Sequence, residues 1–151
     1  MPQAVPPWLT VALAEIGTVE MPGAANNSRI LDYHRVTTLK AGSDSVPWCS
    51  AWACWVMEQA GIRSTRSAAA RSWQSWGEPV SPRLGCVVVL SRGSNPAQGH
   101  VGFLLDRRDN VLFLLGGNQS DRVCIAQYGT SGVLGYRWPT ETLRLTEEPP
   151  N

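Results

Sequence analysis

The sequence predicts an α+β domain, with helices in the first half and an antiparallel β-sheet of about five strands in the second. Two observations carry this. Up to residue 76 the apolar residues recur at helical spacing, and after Pro82 they gather in short β-branched runs between turn residues. Helices first and strands later is the order of a layered α+β fold, not of alternating β-α units.

Taken in order, residues 8–16 predict a short amphipathic helix. Leu9, Ala12, Leu13 and Ile16 share a face, and Gly17 follows as a stop. Residues 23–28 read as a polar turn and 29–36 as a second short helix with Ile30, Leu31 and Tyr33 partly buried. His34, in this polar stretch, is expected at the surface. The clearest helix is 50–60, with Ala53, Val56, Met57 and Ala60 on its apolar side and Gly61 past its end. Residues 67–76 predict a further helix, ended by Gly77. Strands are expected at 86–90, 100–105, 111–115, 123–128 and 133–138, with Asp106 to Asn110 as a hairpin loop. The tail, Glu147 to Asn151, is expected to fray.

Composition narrows the function classes. The chain has 151 residues, enough for one domain with a core of its own. Its net charge is +1, with 17% charged residues and no basic stripe, so neither nucleic acid nor membrane is an expected partner. The first residues lack a basic n-region and an apolar h-region, so no signal peptide is expected. No run reaches membrane-spanning length. Four cysteines without a Cys-x-x-Cys pair, and only two histidines, argue against a metal site, and no cofactor is expected. Cys86 and Cys124 read as two buried thiols, with a bridge between them as the alternative. Most of the seven tryptophans are expected in the core.

The chemistry centres on Cys49. It stands in Asp44-Ser45-Val46-Pro47-Trp48-Cys49-Ser50, where a Pro-containing loop gives way to a helix, and a helix N-terminus favours a thiolate. Downstream lie Gly99-His100-Val101-Gly102 and Gly116-Gly117-Asn118-Gln119. A cysteine at a helix start, a histidine and an amide are the groups a cysteine hydrolase uses: nucleophile, base and orienting residue. If the hairpin loop centres near Arg108, His100 falls opposite Gly116 and Asn118 lies one diagonal step away on the same face. Trp48, beside the nucleophile, either walls a groove or fixes the loop. Cys54, five residues on, reads as core.

The order of these motifs resembles the NlpC/P60 and CHAP group of papain-like peptidoglycan hydrolases, over roughly residues 8–139. Besides the three segments above, the matching pieces are Glu15-Ile16-Gly17, Glu20-Met21-Pro22-Gly23, Asn26-Asn27, Ala70-Arg71-Ser72-Trp73, Trp76-Gly77, Gly85 to Val89 and Tyr136 to Pro139. The resemblance implies a papain-like fold for a single domain, 8–139, with 1–7 and 140–151 as terminal extensions. It also implies cleavage of an amide bond of the bacterial cell wall through a thioester. Cys49 matches the nucleophile, His100 the base, and Asn118 the polar third residue, alone or shared with Gln119. Relatives often carry an acidic residue where Gly116 stands, and many have Asp at Cys86. Trp48, Gln119 and Asp44 are the expected substrate-binding residues, with Asp44 alternatively holding the loop.

The expected activity is a stem-peptide endopeptidase or an N-acetylmuramoyl-L-alanine amidase. A non-catalytic wall-binding module and a thiol acyltransferase are the alternatives. The expected partners are peptidoglycan and an immunity or delivery protein, with the chain a monomer. Synthesis in the cytoplasm and delivery by a phage or a secretion system to the periplasm or wall complete these expectations.

Overall fold

The structure is a computed structural model that describes residues 4–22 and 25–145. The expectations for Gly23 and for residues 147–151 lie outside the described residues.

Three α-helices come first: α1 (Pro7–Ala14), α2 (Ser28–Arg35) and α3 (Cys49–Gln59). α1 opens on Pro7, whose missing N–H is no loss in a first turn. α2 is capped by Asn27, whose side chain accepts from the Arg29 N–H at 2.8 Å. α3 is buried along most of its length, from Cys49 to Cys54 and again at Val56 and Met57. It is therefore the central helix, more enclosed than a one-sided amphipathic pattern suggests.

The helix expected over 67–76 shortens to a 3-10 turn at Ala70–Ser75. The carbonyl of Ser67 accepts from Ser50 Oγ at 2.7 Å, and Trp73 Nε1 donates to the same hydroxyl at 2.9 Å. These bonds tie the segment to the start of α3, and residues 67–69 bend instead of entering a helix.

The strands are β1 (Glu78–Pro79), β2 (Val87–Ser91), β3 (Gly99–Arg108), β4 (Val111–Gln119), β5 (Arg122–Gly129) and β6 (Val133–Trp138). They form one antiparallel sheet in the order β1-β6-β2-β3-β4-β5. The strand beyond the expected five is β1, too short to carry any periodicity. Val87 and Val89 face α3 together with Val101, Phe103 and Leu115. Val88 and Leu90 face a second cluster with Leu104, Leu112 and Leu114. Both faces of β2 are thus covered, which is why Val87 to Leu90 read as an unbroken apolar run. The ring of Trp52 packs on Phe103 at 5.3 Å and joins helix to sheet. Truncating such a fully buried indole costs about 3–5 kcal/mol.

Among the described residues all four cysteines are free, so Cys86 and Cys124 do not pair. His34, expected at the surface, is fully buried, with neither ring nitrogen hydrogen-bonded among the described residues. It lies on the inner face of α2 with Ile30 and Tyr33, and burial holds its pKa below the usual histidine value.

Candidate active site

The hairpin of β3 and β4 turns at Asp109 and Asn110, and its ladder pairs Phe103 with Leu115. The expected register would have paired Phe103 with Phe113, so at the end nearer His100 the strands are shifted by two residues, while a bulge between Leu104 and Asp106 adds one more toward the turn. An even shift at the His100 end keeps every side chain there on its face. His100 and the Gly116–Gln119 segment therefore still meet at one end of the sheet. A second irregularity finishes the arrangement. Between Gly116 and Gln119 the β4–β5 ladder bulges, and Asn118, Ser120 and Asp121 all take positive φ. The bulge swings Gln119, not Asn118, over His100.

Gln119 is buried, and its Oε1 lies 2.9 Å from His100 Nε2. Its Nε2 donates to the carbonyls of Cys124 at 2.7 Å and Leu114 at 3.3 Å. Two carbonyls on the amide nitrogen fix the flip of the side chain, so the group facing the imidazole is an acceptor. His100 Nε2 must then carry the proton, and Nδ1 keeps its lone pair. Gly116 makes this possible by having no side chain: a Cβ there would stand 2.3 Å from Gln119 Oε1. Gly117 serves the neighbouring contact, since a Cβ there would stand 2.7 Å from Trp52 and 2.9 Å from Trp48. The pair of glycines is a close-packing device, one for the amide and one for α3.

Cys49 is the first residue of α3 and is 5% exposed. Burial pushes its thiol up, against the backbone N–H groups of Val101, Ser50 and Cys49 itself and the charge of Arg92. The contact with Val101 sets the thiol beside the start of β3, next to His100 in the chain. Burial likewise lowers His100 to about 4, opposed by the Gln119 hydrogen bond and reinforced by Arg92. The resting pair is thus a thiol and a neutral imidazole. The thiolate expected from the helix N-terminus alone is outweighed by desolvation. The imidazole also stacks on Tyr128 of β5, with ring centroids 5.2 Å apart.

An open cleft of about 400 Å³ leads to Cys49, bordered by Pro47, Ala68 to Ala70, Arg92 and Gln98. Arg92 is exposed and, like Tyr128, was not picked out by sequence reasoning; it precedes the Gly99-His100 motif on a polar loop, Tyr128 lies well beyond it, and neither falls in a motif. Gln119 was a candidate, though for substrate. The signal that points to its bond with His100 is Gly116, which leaves room for a longer side chain from a neighbouring position.

Trp48 and Asp44 do not border this cleft. Trp48 is fully buried, and its Nε1 donates to Glu20 Oε1 at 2.8 Å. Asp44 is 2% exposed. Its Oδ2 accepts from the N–H groups of Met21 and Asn27, each at 2.8 Å, while its own N–H donates to Asn26 Oδ1. Both residues hold the loop before α3 against the segment before α2 and present no surface to a ligand. Glu20, Asn27 and Asp44 thereby acquire a structural role in common.

A model of the CHAP domain matches residues 41–118. Among solved structures, a protein described as similar to a lipoprotein of the NLP/P60 family, from Staphylococcus aureus, superposes with a TM-score of 0.50 at 17% identity. The match covers 94% of this chain and 41% of that one, so the chain spans about two fifths of the length of the solved protein. This likeness concerns the fold. Among curated proteins none matches the chain.

Proposed function

The chain belongs to the CHAP domain family, and from that premise we propose that it hydrolyses an amide bond of bacterial peptidoglycan, with Cys49 as nucleophile, His100 as base and Gln119 as positioning residue. The observation that carries this reading is the 2.9 Å bond from Gln119 Oε1 to His100 Nε2. It fixes the tautomer whose Nδ1 lone pair can take a proton from the thiol. The orienting role expected of Asn118 passes to Gln119.

The reaction follows from these states. His100 Nδ1 takes the Cys49 proton as Sγ attacks the amide carbonyl carbon. The N–H groups at the start of α3 stand ready for the oxyanion that forms. The intermediate collapses, the C–N bond breaks, and the imidazolium protonates the leaving amine. Water then attacks the thioester with His100 again as base, releasing a carboxylate and the free thiol. A thiol raised by burial and an imidazole lowered by it suit a concerted transfer at the moment of attack better than a standing ion pair.

The test is digestion of purified peptidoglycan by wild type and Cys49→Ala, with products identified by mass spectrometry. Wild type alone should release soluble fragments, and their masses separate stem-peptide endopeptidase from N-acetylmuramoyl-L-alanine amidase. A folded wild-type protein that releases nothing from several wall chemotypes would favour the non-catalytic module.

A further inference from the structure

The cleft at Cys49 contains a charge that the hydrolytic mechanism does not use. Arg92 borders the cleft with the nucleophile, and among the described residues no carboxylate borders it. Among the described residues Arg92 forms no ion pair and donates no side-chain hydrogen bond, and it is the one arginine in the lining of this cleft. Its field nevertheless reaches Cys49, His100 and Tyr128, each of whose titration it biases. The loop that carries it, between β2 and β3, is pinned from below. Arg71 Nε donates to the Gln98 carbonyl at 2.6 Å and Arg71 Nη2 to the Asn95 carbonyl at 3.4 Å. Ala68 to Ala70 also line the cleft, with methyl side chains. The cleft therefore combines one unneutralised guanidinium, on an anchored loop, with small apolar side chains.

Resting on the hydrolase reading, we propose that Arg92 is a specificity residue that binds an ionised carboxylate of the substrate beside the scissile amide, so that the preferred substrate is an acidic peptide with small side chains. A guanidinium matches a carboxylate in charge and in its two-pronged geometry. An amidated or esterified neighbour leaves it without a partner. The methyl side chains of Ala68 to Ala70 in the same lining suit small substrate side chains.

Two alkylating reagents of nearly equal size test this without a known substrate. Iodoacetate carries a carboxylate and iodoacetamide does not, and each alkylates a thiol by the same displacement of iodide. The readout is the rate at Cys49, followed by peptide mass mapping in wild type, Arg92→Gln and Arg92→Lys, with the half-buried Cys124 as the internal reference. Wild type should favour iodoacetate at Cys49 over the reference by about fivefold, as expected for one charge-assisted contact at a partly exposed site. Arg92→Gln should abolish that preference, Arg92→Lys should retain part of it, and added salt should weaken it in wild type. An unchanged reagent ratio in Arg92→Gln, with Cys49 still more reactive than Cys124, would overturn the carboxylate subsite and leave the hydrolase reading standing. A Cys49 no more reactive than Cys124 toward either reagent would overturn the hydrolase reading and the subsite with it.

Discussion

Two polar clusters flank the start of α3, and they use buried polar groups in opposite ways. Before the helix, Asp44, Asn26, Asn27 and Glu20 saturate one another with backbone and indole N–H groups. After it, Gln119 uses both amide N–H groups on carbonyls and directs its oxygen at one ring nitrogen of His100. In the first cluster the carboxylates and the Asn26 amide accept, from backbone N–H groups and one indole, and each bond ties one segment to another. In the second, the amide oxygen meets an imidazole and selects which of its nitrogens carries the proton. Buried polar residues in a motif are thus not equivalent. The distinction is whether the hydrogen bonds only join segments or also set the tautomer of a base.

The comparison predicts separable failures. The largest effect belongs to Cys49→Ala, which should abolish release of peptidoglycan fragments, by at least about 10³-fold, while moving the denaturation midpoint little. Next comes Asp44→Ala. Losing two charge-assisted bonds at a buried site should lower stability by about 2–4 kcal/mol in a urea titration. Activity per folded molecule should change less than stability does. Gln119→Leu reverses that ranking. It should reduce kcat/KM by about 10- to 100-fold and lower stability by about 1–3 kcal/mol through the carbonyls it leaves unpaired. If Asp44→Ala and Gln119→Leu moved activity and stability in the same proportion, the two clusters would not differ in kind.

A smaller effect concerns pH. His100 titrates near 4 when folded, against 6.5 as a reference. Between those values the unfolded chain binds more protons than the folded one. Stability should therefore fall as pH drops from about 6.5 toward 4, with His34, also lowered by burial, adding to the slope. Urea midpoints across this range should flatten in His100→Gln. The smallest expected effect is Asn118→Gly. It keeps the positive φ accessible and should leave kcat/KM within about threefold of wild type, because Asn118 forms no hydrogen bond with His100 among the described residues.

Much of this was legible in the sequence. The apolar periodicity of 50–60 and the β-branched runs after Pro82 yielded the central helix and the main strands, and the motif order singled out Cys49 and His100 as candidates. What escaped has identifiable physical causes. β1 is too short for a pattern. The 67–76 helix is overruled by two hydrogen bonds to Ser50 that join residues distant in the chain. His34 sits in a polar-looking segment but faces inward. The choice between Asn118 and Gln119 turned on a bulge, which exchanges neighbours without any change in composition. Trp48 and Asp44, expected at substrate, are buried instead, because proximity to Cys49 in sequence says nothing about which side of the loop a side chain takes.

The central claim is that Gln119 holds His100 protonated at Nε2, with Nδ1 bare for the Cys49 proton. Long-range ¹⁵N–¹H correlation spectra of the imidazole, recorded through a pH titration, test it most directly. Wild type should show a proton on Nε2, none on Nδ1 at neutral pH and titration well below 6.5, and Gln119→Leu a mixture of tautomers. A wild-type His100 protonated at Nδ1, or one whose tautomer is indifferent to Gln119→Leu, would contradict it.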